Sequence, residues 1–213
     1  MLDWDHNAYY HSLLLRYLPA GSRRVLDVGC GAGMFAGELA ERVQTVDAID
    51  RSPEMIERAQ ANTPGNVRCI LGDVASVQLP SDEYDAVFSI SALHHMDLEI
   101  ILPRLAACLR PGGVLAAIAL PRRDLAHELP AEIAAATGHR LLGAMFAIRR
   151  RLGSGSGFPK GTESGAMPVV MDPPLTTRQV ASLAGSVLPG SQVKRLVYWR
   201  YLMVWHKPVN KHP

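Results

Sequence analysis

Apolar and polar positions change period repeatedly along the chain, and each change marks an element. In "NAYYHSLLLRYL", 7–18, the apolar residues recur at helical spacing, so residues 1–20 are expected as an N-terminal cap helix. "RRVLDV", 23–28, reads as a buried strand. Residues 32–42 return to a helical period, with Phe35, Ala36, Leu39 and Ala40 on one face. "VQTVDAID" is a second strand, and Ser52-Pro53 opens a helix with proline in its first turn. "NVRCIL" and "YDAVFSI" are the third and fourth strands. Residues 98–109 form a helix stopped by Pro111-Gly112, and "GVLAAIAL" is a fifth strand.

Strand and helix alternating in this way predict right-handed crossovers and a doubly wound, mostly parallel α/β sheet. The regular pattern ends at Pro121. Residues 121–174 are helical at first, then rich in Gly, Ser and Pro ("GSGSGFPKG", "MDPP"), and are expected as an insertion or lid. A helix over 176–188 follows. "QVKRLVYWRYLMVWHK" is then long enough for two short strands turning near Trp199-Arg200.

Composition narrows the class. With 213 residues, 48% of them hydrophobic, a single domain with a substantial core is expected. A net charge of +2 gives no sign of a nucleic-acid-binding face. The three cysteines, Cys30, Cys69 and Cys108, are odd in number and fit no metal spacing, which favours a reduced, cytoplasmic setting. Asp3, Asp5 and His6 stand where a signal peptide would be basic and then apolar. No apolar run reaches the ~18 residues of a membrane span, so no stable membrane insertion is expected.

The chemistry begins at "VLDVGCGAGMF", 25–35. Gly29, Gly31 and Gly33 follow the first strand, at the sheet edge where ligands of doubly wound folds bind. A dinucleotide loop counted from Gly29 wants glycine at position 34, which is Met34. A P-loop wants Lys followed by Ser or Thr, and neither is present. Asp27 is also a poor neighbour for a phosphate. S-adenosylmethionine suits the loop better, because its ammonium and sulfonium tolerate Asp27. Its carboxylate and adenosine can lie against glycine amides and a helix start. Asp27 capping the following helix is the plainer alternative. Asp50 ends the second strand about twenty residues beyond the first glycine, where an acid accepts from both ribose hydroxyls. Asp47, three residues earlier in mid-strand, is expected to be structural or exposed. In "GDV", 72–74, the Asp73 carboxylate can accept from an adenine amino group and the Val74 amide can donate to a ring nitrogen.

Together, D-x-G-x-G-x-G, the strand-end Asp50, "GDV", "YDAVFS" and "LRPGG" resemble the class I S-adenosylmethionine-dependent methyltransferases, over roughly residues 23–120. The order of the motifs is most similar to the small-molecule branch. The resemblance implies a seven-stranded, three-layer α/β sandwich, parallel except at an antiparallel C-terminal strand. It places Asp27, Gly29, Gly31 and Gly33 around the methionine part of the cofactor, with Cys30 contributing its backbone. Asp50, Arg51 and Met55 surround the ribose and adenine, and Asp73 and Val74 the adenine edge. Ser89, closing "YDAVFS", is counted with the cofactor-facing residues. S-adenosylhomocysteine is the implied product.

"SISALHHMD" follows the fourth strand, beside the expected methyl position. His94 and His95 are therefore the candidate catalytic residues. An imidazole near pKa ~6.5 suits a hydroxyl or amine acceptor, although in-line methyl transfer can rest on positioning alone. The other possibility is that the pair only lines the pocket. No metal site follows from two adjacent histidines, since neighbouring helix positions diverge. Tyr9, Tyr10 or His11 can touch the methionine carboxylate or the acceptor. Alternatively the first helix only packs Leu13, Leu14 and Tyr17 on the sheet. The insertion holds Arg122, Arg123, Arg140 and 149–151. It is expected as a lid over an apolar or anionic substrate, a membrane-surface helix, or a solvated basic face. The expected activity is methylation of a small molecule at O or N. A cyclase that retains the cofactor and a regulatory subunit with a vestigial site are the competing possibilities.

Overall fold

The computed structural model describes residues 6–124, 173–196 and 199–209, with side chains from residue 10 onward. Most of the expected insertion, 125–172, and the side chain of Tyr9 lie outside the described residues. Helix α1 (His6–Leu15) precedes β1 (Arg24–Val28), α2 (Met34–Ala40), β2 (Thr45–Asp50), α3 (Pro53–Asn62), β3 (Val67–Leu71) and β4 (Tyr84–Ile90). A 3-10 turn at Leu93–His95 leads to α4 (Leu98–Cys108) and β5 (Leu109–Ala119). Helix α5 (Thr177–Val187) precedes the hairpin of β6 (Gln192–Leu196) and β7 (Arg200–His206).

The seven strands form one sheet in the order β3-β2-β1-β4-β5-β7-β6. The first five are parallel, and β7 runs antiparallel to both β5 and β6. The winding reverses between β1 and β4. The loop after β1 and the turn after β4 therefore emerge side by side at the carboxyl edge, where such folds bind ligands.

Strand alternation explains how the two layers of the core are divided. Val25 in β1 and Phe88 in β4 face one layer, with Tyr10, Leu14, Phe35 and Leu39 from α1 and α2. Leu26, Val28 and Val87 face the other, with Leu93, Leu102 and Leu105. In α2 the buried residues are Phe35, Ala36, Leu39 and Ala40, as the periodicity predicts.

Local chemistry sets the helix ends. Ser52 accepts the Met55 amide at 3.3 Å and Pro53 opens α3, so one orphan donor is satisfied and one is removed. Thr176 and Gln179 form a reciprocal capping box on α5. Several expected boundaries move: α1 ends at Leu15 rather than near 20, and β2 begins at Thr45 rather than Val43. Helix α2 starts at Met34 rather than Ala32, because Gly33 is left-handed at φ 85°. Helix α4 ends at Cys108, not at Pro111-Gly112. Leu109 already pairs with Tyr84, and the register then slips so that Val114 meets Ala86.

Asp47 is structural and fully buried, not exposed. Its Oδ2 accepts the Tyr84 hydroxyl at 2.6 Å and Arg24 Nη2 at 2.8 Å, while Oδ1 accepts Arg68 Nε at 2.8 Å. Burial works to raise this carboxyl. The hydrogen bonds from Tyr84, Arg68 and Arg24 outweigh it and hold the group below the usual range.

Candidate cofactor and acceptor site

The glycine loop folds back over β2. Gly29 and Cys30 both donate their amides to the Ile49 carbonyl, at 2.8 and 3.0 Å. Gly33 donates to Cys30 at 3.0 Å. Gly29, Gly31 and Gly33 all have positive φ, a conformation that glycine adopts without penalty. Space also demands glycine here. A β-carbon on Gly33 would lie 2.6 Å from the Thr63 methyl.

Asp50 ties the loop to the start of α3. Its Oδ2 accepts the Gly31 amide at 3.0 Å and its Oδ1 accepts the Ser52 amide at 2.9 Å. A carboxylate has about four lone-pair positions, so two stay open for ligand hydroxyls.

Asp27 lies beneath the loop, 2% exposed, and its Oδ2 has no hydrogen-bond partner. It does not cap α2, whose N-cap is Gly33 without a side-chain bond. Burial, and then the negative charge of Asp50, push its carboxyl up to about 7. An unpaired buried acid costs stability unless a cation or donor completes it. A ligand ammonium supplies both, so the residues present fit S-adenosylmethionine.

Of the other residues expected at the cofactor, Arg51 and Met55 follow β2, and Asp73 and Val74 follow β3 in the chain. Met55 is buried and Arg51 exposed on either side of Ser52. The exposed Asp73 turns its own loop, its Oδ1 accepting the Ala75 amide at 2.8 Å. Val74 is buried, and its carbonyl accepts Arg104 Nε at 3.2 Å. The Cys30 thiol points at the Gly31 carbonyl at 3.6 Å, and burial raises it further from ionisation. Ser89 is a correction. Its side chain is fully buried and its hydroxyl donates to the Val28 carbonyl at 2.9 Å, clamping β4 to β1 rather than facing a ligand.

The first helix also resolves. Tyr10 is buried in the core layer with Leu14 and Phe35. His11 Nδ1 bonds Glu38 at 2.6 Å and its ring packs 5.0 Å from that of Phe35. These contacts dock α1 on α2.

His94 and His95 stack at 4.1 Å between ring centroids on the turn after β4. His94 is 8% exposed, and its Nδ1 has no hydrogen-bond partner. Burial, then the fields of His95 and Arg200, lower its pKa to about 3. Burial and Arg51 lower that of His95. The imidazole with ordinary basicity expected from sequence is thus a neutral ring. Arg200, which no sequence motif marks, joins the site because β7 runs antiparallel and starts at the carboxyl edge, with Tyr201 opposite Ala119. A separate groove of about 550 Å³ is lined by Arg122, Arg123, Arg178 and neighbours on α5, and none of Asp27, Asp50 or His94 borders it.

Comparison with known proteins identifies the family. A methyltransferase-domain family model matches residues 25–113. An uncharacterized methyltransferase of Mycobacterium tuberculosis is 33% identical over 213 residues, covering 97% of this chain and 98% of its own. A trans-aconitate 2-methyltransferase of Delftia acidovorans is 35% identical over 151 residues, covering 63% of this chain and 56% of its own. Among solved structures, a SAM-dependent methyltransferase from Aquifex aeolicus shares the fold, with a TM-score of 0.59 at 17% identity, covering 92% of this chain and 89% of that one. With near full-length similarity of this kind beneath the loop of Asp27, Gly29 and Asp50, the chain belongs to the class I S-adenosylmethionine-dependent methyltransferases.

Proposed function

We propose that the protein methylates an oxygen or nitrogen atom of a small-molecule acceptor, with Asp27, the glycine loop and Asp50 holding the cofactor. The observation that carries this is the unpaired Asp27 Oδ2 buried beneath three left-handed glycines. In this assignment Asp27 receives the cofactor ammonium and Asp50 the ribose hydroxyls. Met55 packs against the adenine, with Asp73 and Val74 at its edge and Arg51 beside the ribose. S-adenosylmethionine supplies a methyl group already activated on a sulfonium. The protein's task is then to align the acceptor and exclude water, and effective positioning alone can remove much of the barrier. His94 and His95 border the methyl end as neutral rings that orient the acceptor. The Delftia relative, named for a small polycarboxylate, supports a small-molecule acceptor. Among the described residues no helix is long and apolar enough to cross a membrane.

Calorimetric titration with S-adenosylmethionine and S-adenosylhomocysteine tests the cofactor, and mass spectrometry of products tests the acceptor. Absence of heat and of thermal stabilisation with both ligands, alongside binding of NAD, would remove the proposal.

A further inference from the structure

The carboxyl edge of the sheet carries charges of both signs. The acids Asp27 and Asp50 lie on β1 and β2. Arg200 acts on His94 from the start of β7, and Arg51, between Asp50 and α3, acts on His95. Among the described residues, the side-chain charges that shift the histidine pair are the Arg200 and Arg51 guanidinium groups, and the cofactor adds its own positive charge beside them. A base for a hydroxyl or an ammonium acceptor needs the opposite setting, a carboxylate that favours the imidazolium. Here His94 is buried and His95 half-buried, their rings lie 4.1 Å apart, and guanidinium charges act on both, which suppresses their basicity.

From this arrangement we infer that the acceptor is a small carboxylic acid, methylated on a carboxylate oxygen to give an ester, with its negative charge held on the Arg200 side of the histidine turn. The inference rests on the methyltransferase function proposed above. A carboxylate is already deprotonated at neutral pH, so no base is needed. One of its oxygen lone pairs forms the new C–O bond as the methyl C–S bond breaks, and the C–S pair stays on sulfur. Anion and sulfonium become a neutral ester and a neutral thioether, with no proton left over. Removing water from the cleft strengthens the attraction between carboxylate, Arg200 and sulfonium. Neutral His94 has a ring nitrogen without a protein partner, and it can donate one hydrogen bond to the acceptor.

The test uses the whole protein, S-adenosylmethionine with a labelled methyl group, and a panel of acceptors: trans-aconitate, citrate, fumarate and malonate against a catechol and a primary amine. Methyl esters release methanol in mild alkali, whereas methyl ethers and methylamines do not. The expected product is alkali-labile and forms from at least one acid. Arg200→Met should raise KM for that acid about tenfold or more, with a smaller change in kcat, and Arg200→Lys should recover part of the loss. Binding of S-adenosylhomocysteine should be unchanged in both variants. As a readout apart from turnover, the same acid should raise the Tm of the wild-type S-adenosylhomocysteine complex and not that of Arg200→Met. An alkali-stable product from the catechol or amine overturns the carboxylate inference and leaves the methyltransferase function standing. So does a panel in which no acid takes a methyl group or shifts the Tm, or an Arg200→Met protein with wild-type KM. Wild-type protein that binds neither cofactor form overturns the methyltransferase function itself.

Discussion

A β-carbon placed on Gly29 would lie 2.2 Å from the β-carbon of Ala92. The cofactor loop and the turn that carries His94 are therefore in direct contact, with the glycine backbone against the alanine methyl. Gly29→Ala should cost about 1–3 kcal/mol from overpacking and about 1–2 kcal/mol from the left-handed backbone at φ 72°. Adding Ala92→Gly should recover the packing part and leave the backbone part. Denaturant unfolding of the single and double variants measures both, and a Gly29→Ala protein of wild-type stability would contradict the contact.

Asp27 links cofactor binding to pH. Its folded pKa, about 7, lies above that of an unfolded aspartate. The folded state thus holds the proton longer, and this group's contribution to stability is full at low pH. It is lost as pH rises towards and through 7. Asp27→Asn should leave the ligand-free protein unchanged near pH 4 and stabilise it at pH 8, by on the order of 4 kcal/mol. The same variant should bind S-adenosylmethionine more weakly. Below pH 7 the wild-type protein should release a proton on binding, so its heat of binding should depend on the buffer. Equal heats in buffers of different ionisation enthalpy at pH 6 would refute this linkage.

Asp47 and Asp50 sit three residues apart and should fail differently. Asp50→Ala should weaken cofactor binding by about 1.5–3 kcal/mol, as expected for hydrogen bonds to a charged group. Asp47→Ala should leave binding nearly unchanged and lower stability by about 1–3 kcal/mol, because the buried Tyr84 hydroxyl loses its acceptor. Titration calorimetry and thermal melts on both proteins separate the two roles. Equal losses of affinity would show that the end of β2 is misassigned.

With the pKa of His94 lowered to about 3, the ring is neutral at every pH near and above neutrality. At saturating cofactor and acceptor, kcat should therefore be flat from pH 6 to 9. His94→Ala should mainly raise the acceptor KM, the mark of lost uniform binding. A kcat that climbs near pH 6.5, and stops doing so in His94→Ala, would instead make His94 a general base. The same result in His95→Ala would assign that role to the neighbour.

Much of this protein is written locally. The period changes of residues 7–120 set the elements and their order, because a helix or strand shows one face to the core and the sequence must repeat with it. Gly29, Gly31 and Gly33 mark the loop because only glycine takes these φ values freely. Asp50 could be placed at a strand end by counting.

The tertiary structure decided what the same residue types become. Asp27, Asp47 and Asp50 are three aspartates on two adjacent strands. Asp47 faces Arg24, Arg68 and Tyr84 and is held ionised, whereas Asp27 is buried with its Oδ2 unpaired and keeps its proton to about pH 7. Those neighbours come from β1, β3 and β4 and are remote in sequence. The pairing of β1 with β4 puts the Val28 carbonyl within reach of the Ser89 hydroxyl, a contact between residues 61 apart in the chain. Arg200 reaches His94 only because β7 enters antiparallel between β5 and β6. The sequence determines which groups exist and on which element each rides. Their charge depends on burial and on through-space neighbours, which exist only once the sheet is assembled.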